Sequence, residues 1–378
     1  MVWSKGLPWA AVLLAVACGG SGDAQLLFEP WLEGPGARQP AFLAFSTAYD
    51  GGGPAPIAAP GFPQRLSDTG AFADLASLEP MSGVVPYDVQ VPLWSDGADK
   101  RRWLALPEGA PLGYSDTGPL DVPPGTVFIK HFEMALDERF PEQRRRLETR
   151  FWVVVNQNAQ YGVSYLWNEA QTDAELIVQG RSETLTITGG DGVAREQSYF
   201  LPGPGDCQSC HNARAGYVLG ARAAQLNRPF VYEPDRPAIN QLVAWSFWGM
   251  LNVRLDAQLA TLVPQLAPLG DDSRDLGDRV RSYWDGNCAM CHAGDGGSVP
   301  GWDARYATAF EEQGLDRVPS NASTSASQLI APGAPESSLI YLRGNTADVP
   351  LRMPPVGRNR VDQAYIDALG RWIASLGG

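Results

Sequence analysis

The sequence predicts a multi-domain fold in which a β-rich, sandwich-like N-terminal domain precedes α-helical segments. Two observations predict it. Short runs of β-branched and aromatic residues, separated by turn residues, fill the stretch between residues 85 and 200. Helical periodicity is strongest near the C-terminus, at Val361–Leu376. We therefore place the β-rich domain at 62–205, a first helical segment at 206–268 and a second at 269–378.

The β-rich domain contains several runs with strand character. Their length and spacing favour a β-sandwich or an open barrel. The same stretch contains no glycine-rich phosphate loop, no Gly-x-Ser-x-Gly elbow and no His-Glu-x-x-His helix, so these common catalytic motifs are excluded. The predicted strands are Thr126–Lys130, Phe151–Val155, Tyr161–Trp167, Ala174–Val178 and Thr184–Thr188.

Two copies of the motif Cys-x-x-Cys-His follow the predicted strands and use most of the cysteine and histidine in the chain. Two thiols spaced on about one helical turn add to the two vinyl groups of a haem, and the next residue supplies an imidazole to the iron. The motifs predict two covalently bound haem c groups. Their residues are Cys207, Cys210 and His211 in the first motif and Cys288, Cys291 and His292 in the second.

The alternatives to haem attachment are a zinc site, a disulfide pair and a thioredoxin-like redox couple. A four-cysteine zinc ribbon places its two Cys-x-x-Cys pairs roughly 15 to 20 residues apart, far closer than the pairs that begin at Cys207 and Cys288. Disulfides and redox couples give no reason for a histidine after the second cysteine of each pair.

The N-terminus predicts export and a lipid anchor. A short apolar run from Leu7 to Ala17 follows Lys5 and is too brief to span a membrane, but it suits the core of a signal peptide. The residues at 15–18 resemble a bacterial lipobox that ends in Cys18. We therefore predict a signal peptide at 1–17, with an ordinary cleaved signal as the alternative, and a tether and linker at 18–61.

Composition excludes several partners. The formal net charge is -13, so the surface repels nucleic acid and anionic lipid and attracts basic partners such as small cationic cytochromes. After the signal no apolar stretch approaches the length needed to cross a bilayer. We expect contact with the membrane through the lipid anchor only.

The surroundings of the second motif resemble class I cytochrome c. A predicted helix at about Ser273–Gly286 leads into Cys288, a Met-Pro-Pro sequence begins at Met353, and a helix at Val361–Leu376 ends the chain. In that family the methionine of such a loop is the second axial ligand. The resemblance therefore implies that His292 and Met353 ligate the second haem iron.

A longer stretch, from Phe62 to the C-terminus, is similar to a family of exported di-haem c-type cytochromes of Gram-negative bacteria. Members often carry lipoprotein signals and are encoded beside parallel β-helix proteins, and the family has no assigned reaction. The resemblance implies an envelope location and a parallel β-helix protein as a candidate partner. It rests on Gly83–Tyr87, Pro92–Ala98, Leu147–Arg150, Leu219–Gly220 and Gln225–Asn227. Gly19 after Cys18, with no aspartate there, resembles outer-membrane lipoproteins and favours the outer membrane.

We expect an electron carrier that exchanges single electrons with redox proteins of the cell envelope. Two alternatives remain. The first haem could be open on one side and act as a peroxidase or oxidase site, or the β-rich domain could be a docking module with accessory haems. The identity of the sixth ligand of the first haem distinguishes the electron carrier from the peroxidase or oxidase.

Four possibilities exist for that sixth ligand. His131 is the only histidine outside the motifs, which makes it the first candidate, and we expect it to close the first haem. Met250 and Met134 are the other side-chain candidates, and the fourth possibility is an open site. The predicted helix at Asn240–Leu251 carries Trp245, which either packs in the core or lines a haem edge.

Overall fold

The computed structural model describes residues 45, 49–51, 53–293, 302–318 and 325–377. Residues Pro35–Gly378 form one compact unit. The predicted signal peptide, Cys18 and most of the predicted linker lie outside the described residues.

A six-stranded antiparallel sheet organises the first half of the molecule. Its strands follow the chain order, so each strand pairs with the next along the sequence. The register shifts once, between Phe132 and Glu133. Such a meander needs only short connections between neighbouring strands. The strands are β3 (Val84–Tyr87), β4 (Asp99–Ala105), β5 (Val127–Ala135), β6 (Arg144–Val154), β7 (Gln160–Trp167) and β8 (Ala174–Ile177).

Three small hairpins accompany the sheet. The first consists of β1 (Phe72–Asp74) and β2 (Glu79–Pro80) and the last of β11 (Pro229–Phe230) and β12 (Ile239–Asn240). Between them, β9 (Arg181–Thr188) pairs with β10 (Ala194–Leu201), which leads directly to the first motif. The β9–β10 hairpin packs on the sheet through Leu185, Tyr199 and Leu201.

Side chains alternate between the two faces of the sheet, as they do in any β-strand. On β5, Val127 and Ile129 point into one core together with Phe151 and Tyr161. Phe128 points to the opposite face. We call the first of these the inner face and the second the outer face.

The outer face shares its core with the residues that follow the first motif. Leu104 and Trp152 of the sheet pack with Leu226, Leu242 and Trp245, all of them buried. Residues 206–268 therefore have no core separate from the sheet.

Seven short α-helices occur in the described part of the chain, and α7 is the longest. They are α1 (Pro204–Cys207), α2 (Ala223–Leu226), α3 (Gln241–Phe247), α4 (Ala257–Ala260), α5 (Leu276–Asn287), α6 (Leu339–Gly344) and α7 (Gln363–Ser375).

The fold class predicted from the sequence is wrong. The structure is β-rich and is built around one six-stranded antiparallel sheet. The few short helices of the described residues do not form the predicted set of α-helical cytochrome c segments, of which the C-terminal one was predicted to be class I-like. The helix predicted at Asn240–Leu251 is shortened to Gln241–Phe247, because Gly249 takes a positive φ of 68°. The second sheet of a sandwich is reduced to the β9–β10 hairpin in the described residues.

Candidate functional site

The first motif begins at a tight turn after β10 and adopts one helical turn. Pro204 starts α1, and the Asp206 carboxylate accepts a hydrogen bond from the Gly203 amide at 2.9 Å. The His211 amide donates to the Cys207 carbonyl at 3.0 Å. This turn directs Cys207, Cys210 and His211 into a common cavity.

The outer face of the sheet supports this motif directly. The His211 imidazole stacks on the Trp152 indole, with ring centroids 4.0 Å apart and an interplanar angle of 25°. Cys207 lies against Gly162, where an added Cβ would come within 2.6 Å of the Cys207 sulfur. A glycine is therefore required at this point of β7 for the motif to reach the sheet.

Hydrogen bonding defines which nitrogen of His211 is free. Nδ1 lies 2.7 Å from the Tyr217 carbonyl oxygen. A carbonyl oxygen can only accept, so Nδ1 carries the proton and the Nε2 lone pair is available. Burial, reinforced by Lys130, lowers the pKa of His211 to about 3, which keeps the imidazole neutral. A neutral imidazole fixed through its other nitrogen is the form that binds a metal.

The second motif continues from α5. The His292 amide donates to the Cys288 carbonyl at 3.0 Å, the same turn as in the first motif. His292 is buried against Trp302, with ring centroids 4.4 Å apart, and burial lowers its pKa to about 4. Its Nδ1 has no hydrogen-bond partner among the residues that the structure describes.

Helix α7 crosses α5 and fixes the approach to the second motif. The Trp284 indole donates to the Tyr365 hydroxyl at 2.8 Å. The rings of Tyr283 and Tyr365 stack with centroids 4.0 Å apart. These contacts lie one turn before Cys288.

Two arginines hold the loop that contains Met353. The Met353 amide donates to the Arg343 carbonyl at 2.9 Å. Arg358 donates to the Met353 carbonyl and, at 2.6 Å, to the Thr346 carbonyl. The Met353 side chain lines the same cavity as His292.

The loop Pro92–Ala98 connects the sheet to both parts of the second site. The Trp94 amide donates to the Asn287 side chain, next to Cys288, at 2.7 Å. The Asp96 carboxylate accepts from the amides of Asn359 at 2.7 Å and Arg360 at 2.8 Å. Burial raises the pKa of Asp96, and these amide hydrogen bonds oppose the rise. The loop therefore holds the end of α5 and the segment after Met353 together.

Both motifs open into one cavity of about 340 Å³, a size typical of small-molecule and cofactor sites. Both motifs contribute cysteines to its lining, and burial, together with the Cys291 thiol, raises the pKa of the Cys210 thiol. None of the four motif cysteines forms a disulfide among the described residues. Of the site residues predicted from the sequence, the cavity brings together Cys207, Cys210, His211, Cys288, Cys291, His292 and Met353.

The cavity lining fits a haem. Aromatic and aliphatic side chains such as Phe128, Trp152 and Ile340 offer an apolar surface to a porphyrin. Among the described residues, no ion pair joins a carboxylate to Lys130, Arg343 or Arg358, which also line the cavity. Unpaired cations complement the carboxylates of haem propionates. The acids of the lining, by contrast, already accept amide hydrogen bonds.

His131 is not brought to this cavity. It lies on the inner face of β5, fully buried, with Nδ1 2.9 Å from the Thr149 hydroxyl oxygen and its ring edge-on to Trp167. Met250 and Met134 are also buried, Met250 in the core below Trp245 and Met134 in the core of the β9–β10 hairpin. Trp245 packs on Tyr87 in the core that contains Met250, and it does not line the cavity.

The residues that the sheet contributes to the cavity were not predicted from the sequence. Lys130 and Arg150 face the cavity from neighbouring strands, and burial beside Arg102 lowers the pKa of Lys130 to about 7. The available signal was alternation: Phe128, Lys130 and Phe132 share one face of β5, whereas His131 falls on the other.

Comparison with models of protein families, with curated proteins and with solved structures found no match. Within the ranges that the structure describes, no helix is both long and apolar enough for a membrane span. No group of three or more His, Cys, Asp or Glu side chains in those ranges is arranged to hold a metal ion.

Proposed function

We propose that this protein is an exported di-haem c-type cytochrome that passes single electrons between redox partners of the cell envelope. The observation that carries the proposal is the shared cavity: two Cys-x-x-Cys-His motifs, distant in sequence, line one space. Two covalently bound haem c groups there would be close neighbours. When bound, each iron alternates between ferric and ferrous states and so carries one electron.

The residues of the chain have separable roles in this proposal. Cys207 and Cys210 attach the first haem and Cys288 and Cys291 the second. His211, whose imidazole is oriented by the Tyr217 carbonyl, would ligate one iron through Nε2, and His292 would ligate the other iron. Met353, which lines the same cavity as His292, would supply a further ligand to the second haem iron. Thioether ligation raises a haem potential.

Export and partner choice belong to the same proposal. The lipobox-like residues before Cys18 support a lipid anchor on a membrane that faces the periplasm, with the outer membrane favoured. The net charge of -13 favours basic partners such as small cationic cytochromes. A parallel β-helix protein is a further proposed partner.

A second candidate function is a peroxidase- or oxidase-like enzyme with an open first haem. The observation that favours it is the pair Lys130 and Arg150, which places two cationic groups in the cavity near Cys210. Such groups can donate hydrogen bonds to a small oxygen ligand.

Haem stoichiometry tests the shared part of both candidates. Alkaline pyridine is expected to show two c-type haems per chain that survive denaturation. Replacing Cys207 and Cys210 with serine should leave one haem, and the matched replacement of Cys288 and Cys291 should leave the other. Retention of both haems in either variant would show that the motifs do not attach them.

Peroxide separates the carrier from the enzyme. A carrier is expected to be low-spin at both irons, to titrate in two one-electron steps and to react slowly with peroxide. A high-spin haem that turns over peroxide in the wild-type protein would contradict the carrier and establish the enzyme.

A further inference from the structure

The outer face of the sheet carries two successive rows of side chains below the first motif. Phe128, Trp152 and Gly162 pair across β5, β6 and β7 and form the row that supports His211 and Cys207. The next row on this face, which we call the distal row, contains Lys130, Arg150 and Ser164. The rows lie two residues apart, about 7 Å along a strand.

Arg150 in the distal row is already paired. Its guanidinium donates to both oxygens of the buried Glu148 carboxylate, at 2.8 and 2.5 Å, and lies over the Phe132 ring. The Tyr199 hydroxyl donates to the same carboxylate at 2.9 Å. Arg150 is therefore held in place by its own counter-ion.

Lys130 has no such partner. Among the described residues its ammonium makes no ion pair and no hydrogen bond, although it lines the cavity. Removal from water disfavours a positive charge at this position, and the neighbouring Arg102 and Arg150 repel it, whereas Cys210 and Glu148 offset part of this effect. Lys130 is half-buried, and a cation without a counter-ion costs free energy when it leaves water, so the amine is suited to act as a neutral donor.

We propose that Lys130 Nζ would be the sixth ligand of the iron in the haem attached through Cys207 and Cys210. The inference rests on the proposed attachment of that haem. On coordination the ammonium releases one proton to solvent, and the nitrogen lone pair is donated to the iron, whose oxidation state does not change. The first haem is then closed, as an electron carrier requires.

Other donors are less well placed. His131 is the neighbour of Lys130 in sequence but points to the inner face. Met250 is fully buried in the core. Met290 lines the cavity and is the remaining competitor, because it lies within the second motif.

The test compares variants of Lys130 in the full-length protein with both haems attached. Lys130→Ala should convert one haem from low to high spin by electron paramagnetic resonance and let it bind cyanide. Lys130→Arg keeps the charge but cannot ligate, so it should give the same high-spin signal. Added methylamine should restore the low-spin signal in Lys130→Ala.

Lys100→Ala is the matched control. Lys100 is a second half-buried lysine of the same sheet, but its ammonium donates to the Ala98 carbonyl at 2.9 Å and it does not line the cavity. This variant should keep the wild-type spectrum. Pyridine haemochrome on every variant confirms that two haems are still attached.

Several outcomes would overturn the proposal. A low-spin Lys130→Ala protein with two haems would exclude the amine, and a wild-type-like Lys130→Arg spectrum would show that the lysine acts through its charge. A high-spin haem in Met290→Leu or His131→Ala, but not in Lys130→Ala, would assign the ligand to that residue. Absence of covalent haem in the wild-type protein would overturn the proposed function itself and this inference with it.

Discussion

The two motifs are held by different kinds of structure. The first rests on a β-sheet, with His211 on Trp152 and Cys207 against Gly162. The second ends a helix that α7 braces through Trp284 and Tyr365. In both motifs the histidine amide donates to the carbonyl of the first cysteine at 3.0 Å. The local turn therefore belongs to the motif, whereas the support around it is free to differ.

In the proposed cytochrome, the support determines which side chains could reach each haem iron. A sheet presents its side chains in cross-strand rows, so the first site has Lys130 and Arg150 beside it. The second site is completed by a loop, which brings Met353 into the cavity through two arginines. The proposed ligand is accordingly an amine in the first site and a thioether in the second. An amine stabilises ferric iron better than a thioether does, so the second haem should have the higher potential.

Removing the indole below His211 should have the largest effect on stability and should change the first site without changing the second. Trp152→Ala deletes a buried aromatic side chain and should lower the free energy of unfolding by about 3–5 kcal/mol. The spectrum of the first haem should change because its histidine loses the stacked ring. The second haem should keep its far-red band, the weak sulfur-to-iron absorption expected from methionine ligation by Met353. Chemical denaturation and optical spectra measure the two effects.

Trp245→Ala is the matched control for this variant. Trp245 is buried in the same core but does not line the cavity. A similar loss of stability with both haem spectra unchanged is expected. If both tryptophan variants altered the first haem equally, stacking on His211 would not be the cause.

Removing the Asp96 carboxylate should weaken the second site alone. Asp96→Gly leaves the amides of Asn359 and Arg360 without their acceptor and should cost about 3 kcal/mol. Glycine accepts the positive φ of 55° at this position, so the backbone adds no strain. The far-red band should weaken as the segment after Met353 loosens, and spectra of the first haem should stay as they are.

Glu138→Ala tests whether the loss of any contact to the segment after Met353 would weaken the far-red band. Glu138 forms a half-exposed ion pair with Arg360 at 3.3 Å, a kind of contact worth at most about 1 kcal/mol. The far-red band should remain in this variant. Its loss would mean that Asp96 has no special role in placing Met353.

Filling the space below Cys207 should disturb the first site alone. Gly162→Ala would bring a methyl group within 2.6 Å of the Cys207 sulfur and should cost about 1–3 kcal/mol. The haem content of the first motif should fall, measured as the pyridine haemochrome of a protein that already lacks Cys288 and Cys291. Gly190→Ala is the control because an added Cβ there meets nothing within 4 Å. An equal loss of haem in both variants would refute the contact.

Features that depend on a few consecutive residues could be predicted from the sequence. Features that depend on neighbouring strands of the sheet could not. The strands at Tyr161–Trp167 and Ala174–Val178 were predicted nearly as found, because their apolar alternation is plain. Strand β4 was missed because it begins with four charged residues, two of which reach the interior only by pairing or by burying their stems.

The motifs and Met353 were also accessible from sequence, since their chemistry lies in a few consecutive residues. The shared cavity was not, because it depends on the Pro92–Ala98 loop joining segments far apart in the chain. His131 was predicted as a ligand from its residue type alone. The structure draws attention to Lys130 instead, because a shift of one residue on a strand changes the face to which a side chain points.

The smallest expected effect tests the helical support of the second motif. Tyr365→Phe removes only the hydroxyl that accepts from Trp284, and the stack on Tyr283 remains, so the loss should be about 1 kcal/mol. Tyr165→Phe is matched to it, because that hydroxyl donates to the Pro63 carbonyl at 3.0 Å on the inner face, away from the motifs. Redox titration should show a small shift at the second haem in Tyr365→Phe and none in Tyr165→Phe. The first haem should keep its potential in both variants, since its support is the sheet. Equal shifts at the two haems in Tyr365→Phe would mean that the helix pair and the sheet do not support the two sites separately.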